Sequence, residues 1–182
     1  MGHRLSKIVT RTGDAGETGL ASGERVRKTH PRVRALGEVD ELNSQIGVLL
    51  THRLPRALQF TLARVQHELF DLGGELSLPG AALVAAEHVA HLEKDAEALN
   101  APLPPLKEFV LPGGNTPAAA AHLARTVCRR AERAAWALHE AEPQNPQSLR
   151  YLNRLSDFLF IAARTLARAR GGKEVTWSRK SR

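Results

Sequence analysis

Five segments of the chain carry apolar residues at steps of three and four, and prolines or paired glycines separate most of them. Such spacing puts the apolar side chains on one face of a helix, and that face must be buried against other helices. The pattern predicts one helix from Pro31, a second after Pro55, and three more at about 82–100, 117–141 and 147–170. We therefore expect an all-α protein, built as a five-helix up-and-down bundle.

The amino-terminal part of the chain does not follow the helical pattern. Residues 10–20 read TRTGDAGETGL, and three glycines so close together disfavour a stable helix. We predict an irregular glycine-rich arm over 1–30, the helical bundle over 31–170, and a basic tail over 171–182 with a short extended piece at 175–177. With 182 residues and no internal repeat, the chain fits a single domain that can bury a core of its own.

The net positive charge of the chain limits the kinds of ligand and macromolecule that we expect it to bind. The formal net charge of +7 favours an anionic ligand, but the basic residues do not alternate with the stacking aromatics that bind single-stranded nucleic acid. We therefore expect no nucleic-acid partner. Because no apolar run is long enough to span a bilayer and no signal core begins the chain, we expect no membrane partner and a cytoplasmic location.

The sequence gives little support to metal or disulfide chemistry. The lone Cys128 excludes an internal disulfide framework and a multi-cysteine zinc site, and we expect it to be a small packed residue. The eight histidines form no H-E-x-x-H motif, and no glutamate is followed three residues later by a histidine, as a di-iron bundle requires. We expect no resident metal site.

The predicted fourth helix concentrates positive charge in two turns. Arg125, Arg129, Arg130 and Arg133 lie within nine residues, together with Glu132. Residues three and four apart share a helix face, so Arg125, Arg129 and Glu132 line up with one another. Guanidinium groups without matching acids indicate a phosphate-rich ligand, or acidic partners from elsewhere in the assembly. The alternative is a solvated basic face.

Polar groups on three other segments are candidates for the same site. The glycines and threonines of the arm offer N–H groups and hydroxyls that can surround an anion, and Asp14 and Thr18 could reach a hydrated magnesium ion. Asp40 and Asn43 share a face of the first helix, where a partly buried aspartate needs a cation. On the fifth helix, the amide of Asn153 suits a phosphate. A flexible arm and solvated helix faces are the alternatives.

Five stretches of the chain carry distinctive combinations of residues. They are TRTGDAGETGL at 10–20, RVRALGEVDELNSQIG at 32–47, FVLPGG at 109–114, ARTVCRRAER at 124–133 and YLNRLSDFLFIAAR at 151–164. In this order they resemble the PduO-type corrinoid adenosyltransferases, also called ATP:cob(I)alamin adenosyltransferases. The most specific part is FVLPGG with RRAER and a downstream YLNRLSD. The resemblance implies a ferritin-like five-helix bundle.

The resemblance also implies a reaction and its partners. A reduced corrinoid attacks the 5′-carbon of ATP with its Co(I), so that adenosylcobalamin forms and tripolyphosphate leaves. ATP with Mg²⁺ and the corrinoid (cobalamin) are then the substrates. Members of this family look like homotrimers with sites between subunits. A flavin or flavoprotein would supply electrons, and a cobalamin-dependent enzyme would accept the product.

The same resemblance assigns residues to two sides of the nucleotide site. The side formed by the arm comprises Thr10, Arg11, Thr12, Gly13, Thr18 and Lys28. The side formed by the helices comprises Arg129, Arg130, Glu132, Arg133 and Asn153. One subunit would contribute the arm, and its neighbour would contribute the arginine helix.

Three further residues are assigned to the assembly and the chemistry. Asp40 and Arg125 match a salt bridge that crosses the subunit interface and orders the site. Phe109 matches the aromatic that displaces the lower axial base of the corrinoid, which leaves cobalt four-coordinate and makes Co(II) easier to reduce. Two alternatives stay open: a regulatory trimer that binds nucleotide without activity, and a basic helical module that binds nucleic acid.

Overall fold

Five α-helices make up most of the computed structural model, which describes residues 8–178. In chain order they are α1 (Pro31–Leu50), α2 (Arg56–Ser77), α3 (Ala86–Asn100), α4 (Thr116–Ala141) and α5 (Pro146–Arg168). Both α1 and α5 pack along α4, while α2 packs on α1 and α3 packs on α5. The all-α, five-helix fold expected from the apolar spacing is confirmed.

Prolines and side-chain caps define where the helices start. Pro31 and Pro146 occupy the first positions of α1 and α5. A backbone N–H at this position makes no hydrogen bond within the helix, so proline, which lacks the N–H, costs nothing there. Asn115 caps α4, because its Oδ1 accepts a hydrogen bond from the N–H of Ala118 (3.0 Å). Its Nδ2 donates to the carbonyl of Leu166 (2.7 Å). This one side chain therefore ties the start of α4 to the end of α5.

Two helix boundaries differ from the predicted ones. The helix α3 begins at Ala86 and not near residue 82, because the carboxylate of Glu75 accepts hydrogen bonds from two successive N–H groups before it (2.7 and 3.0 Å). The helix α5 ends at Arg168 and not at 170, since Arg170 adopts a φ of 55° within a short 3₁₀ turn. In both places a tertiary or backbone detail overrides the local helical pattern.

The arm is more ordered than its glycine content predicts. Two short strands, β1 (Glu17–Gly19) and β2 (Arg25–Arg27), pair antiparallel to form a hairpin. The N–H of Ala21 donates to the carbonyl of Ser77 (3.0 Å), which fixes the hairpin to the end of α2. The prediction of an irregular arm is therefore corrected over its second half. Residues 1–7 of the predicted arm lie outside the described residues.

Small residues on α4 determine which of its faces is buried. Ala121, Ala124, Ala131 and Ala135 are at most 3 % exposed, and such short side chains let neighbouring helices approach closely. Cys128 lies on the same face and donates from Sγ to the carbonyl of Leu152 (3.2 Å). Burial raises the pKa of its thiol. The prediction of a small packed residue is confirmed.

The carboxyl-terminal segment returns to the bundle. Thr176 pairs with Val110 in an isolated antiparallel bridge, which confirms the extended piece predicted at 175–177. Residues 179–182 of the predicted basic tail lie outside the described part of the chain. Within residues 8–178, none of the helices combines the length and the apolar character that crossing a membrane requires.

Candidate functional site

The outward face of α4 presents two of its four arginines to solvent. Arg129 and Arg133 are exposed, because the opposite face of the helix is occupied by the buried alanines. Arg133 donates from Nη1 to the carbonyl of Arg129 (2.9 Å), so the two side chains lie one turn apart along the same edge. Two neighbouring guanidinium groups with fixed charge can bind the oxygens of a polyphosphate.

Arg130 has different surroundings from those that the sequence suggested. Its guanidinium donates hydrogen bonds to the carboxylates of Glu38 and Glu41 on α1. These two hydrogen bonds raise the pKa of Arg130. The expectation that the arginines of α4 lack matching acids is therefore wrong for Arg130. Its assignment to the nucleotide stays a prediction, and it would require Arg130 to leave two carboxylates.

Glu132 and Asn153 meet across the α4–α5 contact. The amide Nδ2 of Asn153 donates to Oε1 of Glu132 (2.9 Å). The structure thus brings together two of the five residues that were assigned to the helix side of the nucleotide site. A carboxylate and an amide side by side can accept from and donate to a nucleoside, whose hydroxyl and amino groups need both kinds of partner.

Among the arginines of α4, Arg125 is the one with a buried nitrogen that lacks a hydrogen-bond partner in the described residues. Its Nε is buried and has no hydrogen-bond partner among residues 8–178. Burial, followed by the positive charge of Arg129, lowers the pKa of Arg125. The guanidinium carbon lies 6.0 Å from the centroid of the Phe160 ring. A half-buried cation in this position is stabilised by a carboxylate or another anion.

His122 shares these surroundings one turn earlier on α4. It is 3 % exposed, and its Nδ1 has no hydrogen-bond partner in the described residues. Its ring meets the Phe160 ring edge-on, with centroids 6.1 Å apart. Burial, and then the charge of Arg125, lowers the pKa of His122, so the imidazole is neutral at pH 7.

A cavity of about 450 Å³ places Phe109 and Arg125 in one site. Its remaining lining residues are Leu106, Lys107, Glu108, Val110 and Phe160. Phe109 is 80 % exposed, so its ring is free to contact a ligand. Phe160 was missed by sequence reasoning, although it lies in the matched stretch 151–164 and stands off the leucine stripe of α5.

Asp40 lies on a different surface. It is exposed on α1 and borders a largely apolar cleft of about 540 Å³ between α1 and α2, which Phe70 also lines. The side chain of Phe70 is 74 % exposed at this cleft. Asp40 forms no ion pair with any residue of the described chain, so the expected bridge to Arg125 is not made within one copy.

The residues assigned to the arm are held close together. The hydroxyls of Thr10 and Thr12 are 3.0 Å apart, and Arg25 donates from Nη2 to the carbonyl of Thr12 (2.8 Å). Arg11 between them adopts a positive φ of 61°, which turns the chain sharply. These contacts close the segment into a compact loop in which Thr10, Arg11 and Thr12 are exposed.

Lys28 brings a positive charge to the same loop. Its N–H donates to the carbonyl of Gly16 (2.8 Å), which closes the hairpin that contains Thr18. A Cβ at Gly13 would lie 3.2 Å from Nζ of Lys28, so a larger residue would press on the ammonium group. Lys28 therefore lies against the loop at Gly13, at the base of the hairpin that contains Thr18.

The arm and the arginines of α4 do not join within one chain. In the described residues, no hydrogen bond or ion pair links residues 10–28 to α4, and the arm is instead fixed to the end of α2. Both halves of the expected nucleotide site are thus formed separately.

Comparisons with known proteins identify the family. The family model described as cobalamin adenosyltransferase matches residues 8–166. This chain belongs to the cobalamin adenosyltransferase family. The chain is 58 % identical to a cobalamin adenosyltransferase of Cupriavidus metallidurans over 99 % of this chain and 98 % of the relative. It is 42 % identical to a corrinoid adenosyltransferase of Bacillus subtilis over 96 % and 94 %.

A solved structure supports the same conclusion. The chain is 34 % identical to a variant of a PduO-type ATP:corrinoid adenosyltransferase from Lactobacillus reuteri complexed with cobalamin and ATP, with a TM-score of 0.89. The match covers 95 % of this chain and 100 % of that one. The resemblance seen in the sequence, and with it the expected class of enzyme, an adenosyltransferase, is confirmed.

Proposed function

We propose that this chain, acting as one domain, transfers the 5′-deoxyadenosyl group of ATP to the Co(I) of a reduced corrinoid. Family membership gives the reaction its class, and the relative complexed with cobalamin and ATP gives its two substrates. The observation that supports the proposal most directly is the cavity where Phe109 and Arg125 meet, with Arg129 one turn further along α4 and close enough for its charge to act on Arg125. It puts an apolar surface for the corrinoid next to cations suited to a triphosphate.

The reaction needs no nucleophile from the protein. The cobalt–carbon bond forms as the bond between C5′ and its oxygen breaks, and the electron pair of that bond leaves with tripolyphosphate. Negative charge therefore accumulates on the leaving group, where Arg129, Arg133 and Lys28 would stabilise it. Holding both substrates in line removes most of the entropic cost of their encounter.

Magnesium is assigned to the nucleotide and not to a protein site. In the part of the chain that the structure describes, no three His, Cys, Asp or Glu side chains gather into a group that could hold a metal ion. Mg²⁺ commonly binds through substrate phosphates with few protein ligands. Asp14 and Thr18, both in the arm, are the residues that we expect to reach its water shell.

The assembly that completes the site is a homotrimer. Two features support it: Arg125 carries a buried Nε without a partner in residues 8–178, and Asp40 has no ion pair there. If Asp40 of one copy pairs with Arg125 of the next, both needs are met and the arm of one subunit approaches α4 of its neighbour. We further propose a flavin or flavoprotein as reductant, a cobalamin-dependent enzyme as acceptor, and the cytoplasm, where ATP and reduced flavins are available.

The activity is tested by mixing the protein with ATP, Mg²⁺ and chemically reduced cobalamin without oxygen. The visible spectrum should change to that of adenosylcobalamin, with one tripolyphosphate released per product. Omission of ATP is the matched control. An unchanged spectrum, with nucleotide bound but not consumed, would support the regulatory alternative instead.

The shared site is tested by mixing two inactive variants. Asp40→Ala and Arg125→Ala should each lose most activity alone. After they are unfolded and refolded together, a trimer would place an intact Asp40 against an intact Arg125 at about one quarter of its interfaces, by random pairing around a ring. Activity should return to about that fraction of the wild-type value. No recovery, although mixed trimers are shown to form, would contradict an intersubunit pair.

A further inference from the structure

The segment that carries Phe109 is held by the carboxyl-terminal tail. The N–H of Leu111 donates to the carbonyl of Val175 (2.8 Å), and the N–H of Trp177 donates to the carbonyl of Phe109 (2.7 Å). The side chain of Phe109 is 80 % exposed, so packing in the core does not fix its ring. The position of this ring therefore depends on its backbone, and the backbone depends on the tail.

One carboxylate fixes the tail to the bundle. The side chain of Glu174 is only 7 % exposed and accepts hydrogen bonds from Arg164 Nε and from Arg168 Nη1 (2.8 Å) on α5. Burial alone would raise the pKa of Glu174, but the hydrogen bonds and charges of the two arginines outweigh it and lower the pKa. The carboxylate is therefore charged at neutral pH and bound by both arginines.

The same arginine also holds the connector before Phe109. Arg164 is 4 % exposed, and its Nη2 donates to the carbonyl of Pro104 (2.7 Å). Arg164 thus contacts two segments that lead to the backbone of Phe109: the connector through Pro104 and the tail through Glu174. Loss of Glu174 would leave a buried guanidinium without its counter-ion, which disturbs both contacts together.

We propose that Glu174 is a positioning residue for the corrinoid step, which it supports by holding the tail against the backbone of Phe109. Glu174 lies outside the residues that line the cavity, so it acts through Phe109 and not on the substrate. The inference rests on the proposed function, because it needs Phe109 to displace the lower ligand of the corrinoid. Binding of ATP involves the arm and the outward arginines of α4, and should not depend on Glu174.

The test compares Glu174→Gln with a matched control. Glu174→Gln keeps the shape of the side chain and removes its charge. Glu93→Gln breaks another ion pair of α5, the one between Arg154 and Glu93 (3.0 Å), which lies outside the cavity of Phe109. We expect Glu174→Gln to reduce the four-coordinate Co(II) population and kcat/KM for the corrinoid about tenfold, with ATP affinity unchanged. Glu93→Gln should leave all three quantities at the wild-type values.

A double-mutant cycle separates positioning from a general structural role. If Glu174 acts through Phe109, Glu174→Gln should have little further effect on kcat/KM for the corrinoid in a Phe109→Ala background. Additive losses in the double variant would overturn the proposal. The proposal would also be overturned if the single variant Glu174→Gln formed as much four-coordinate Co(II) as the wild-type protein.

A second readout needs no corrinoid, and it is taken on variants whose circular dichroism shows wild-type helix content. In a Trp136→Phe background, Trp177 is the remaining tryptophan, and its emission reports the tail directly. Glu174→Gln should shift this emission to the red and increase its quenching by acrylamide, whereas Arg168→Gln, which keeps the buried pair with Arg164, should do so less. Unaltered emission would overturn the proposal that Glu174 holds the tail in place. If the emission changes as expected but the wild-type protein makes no adenosylcobalamin, the proposed function fails, while the role of Glu174 in holding the tail is retained.

Discussion

Two sides of α4 differ in how their charges are balanced. On the side that faces α1, Arg130 binds Glu38 and Glu41 of its own chain. On the open side, Arg125 has a buried Nε without a partner in the described residues, and Arg129 is exposed. Arginines that look alike in the sequence therefore differ in their surroundings: Arg130 is paired within the chain, Arg125 has an unpaired buried nitrogen in the described residues, and Arg129 is exposed.

The largest effect should come from the open side. Arg129→Ala removes a charge-assisted contact to the triphosphate, which is worth roughly 1.5–3 kcal/mol, so the KM for ATP should rise by about ten- to a hundredfold. Arg129→Lys is the control: it keeps the positive charge but cannot form the bidentate hydrogen bonds of a guanidinium. The KM for ATP should rise less in this variant than in Arg129→Ala. The initial rate at varied ATP concentration measures both. An unchanged KM for Arg129→Ala would remove this residue from the site.

The cavity beside Arg125 should bind the corrinoid and not the nucleotide. Phe109→Ala should impair formation of four-coordinate Co(II) about tenfold or more, since no apolar ring then displaces the lower axial ligand. ATP affinity should change less than about twofold, because Phe109 lies outside the charged face. Absorption spectra of the bound Co(II) corrinoid and equilibrium ATP binding give the two values. The assignment fails if ATP affinity collapses while ligand displacement persists.

The side facing α1 should show the opposite pattern. Arg130→Ala leaves Glu38 and Glu41 next to each other without a cation, so the melting temperature should fall modestly. The KM for ATP should change less than about twofold. Thermal unfolding and kinetics of Arg130→Ala and Arg129→Ala, measured in parallel, compare the two sides directly. A large rise in KM for Arg130→Ala, with normal stability, would show that Arg130 leaves its carboxylates to bind the nucleotide.

The contrast between the two sides also marks what could be predicted from one sequence. The helices and the arginine cluster follow from residues three and four apart, and a period of that kind is visible without a structure. The partners of Arg130 are about ninety positions away along the chain, and nothing local indicates which arginine of the cluster will meet them. The sequence therefore predicts that charge gathers on α4, but not how the charge is shared.

Contacts between distant segments also explain the other features that were not predicted from the sequence. The hairpin of the arm has strands of three residues, too short to show an alternating pattern. The late start of α3 depends on Glu75, which reaches from another helix to accept two N–H groups. Glu174 stood in a tail that looked merely basic, and its role depends on a fold that brings the tail back to Phe109. Each of these features is a contact between distant segments.

The smallest effect concerns His122, which reports the positive charge on the open side. The pKa of His122 lies below its ordinary value of 6.5, mainly because of burial and then because of Arg125. Arg125→Met should therefore move the pKa upward but only part of the way, since burial remains. A proton NMR titration of the imidazole measures the shift, and Arg130→Met is the control on the other side of the helix. Equal shifts of the His122 pKa in Arg125→Met and Arg130→Met would contradict the proposed difference in charge between the two sides of α4.

The sign of the accompanying stability change follows from the same pKa. The unfolded chain binds a proton to His122 more readily than the folded one does, so the contribution of the neutral ring is complete above pH 6.5 and declines as pH falls below that value. Wild-type protein should therefore lose stability between neutral and mildly acidic pH. His122→Phe, which cannot be protonated, should lose less over the same range. The melting temperature of each protein is measured as a function of pH. An equal fall in both proteins would refute a buried neutral imidazole beside Arg125.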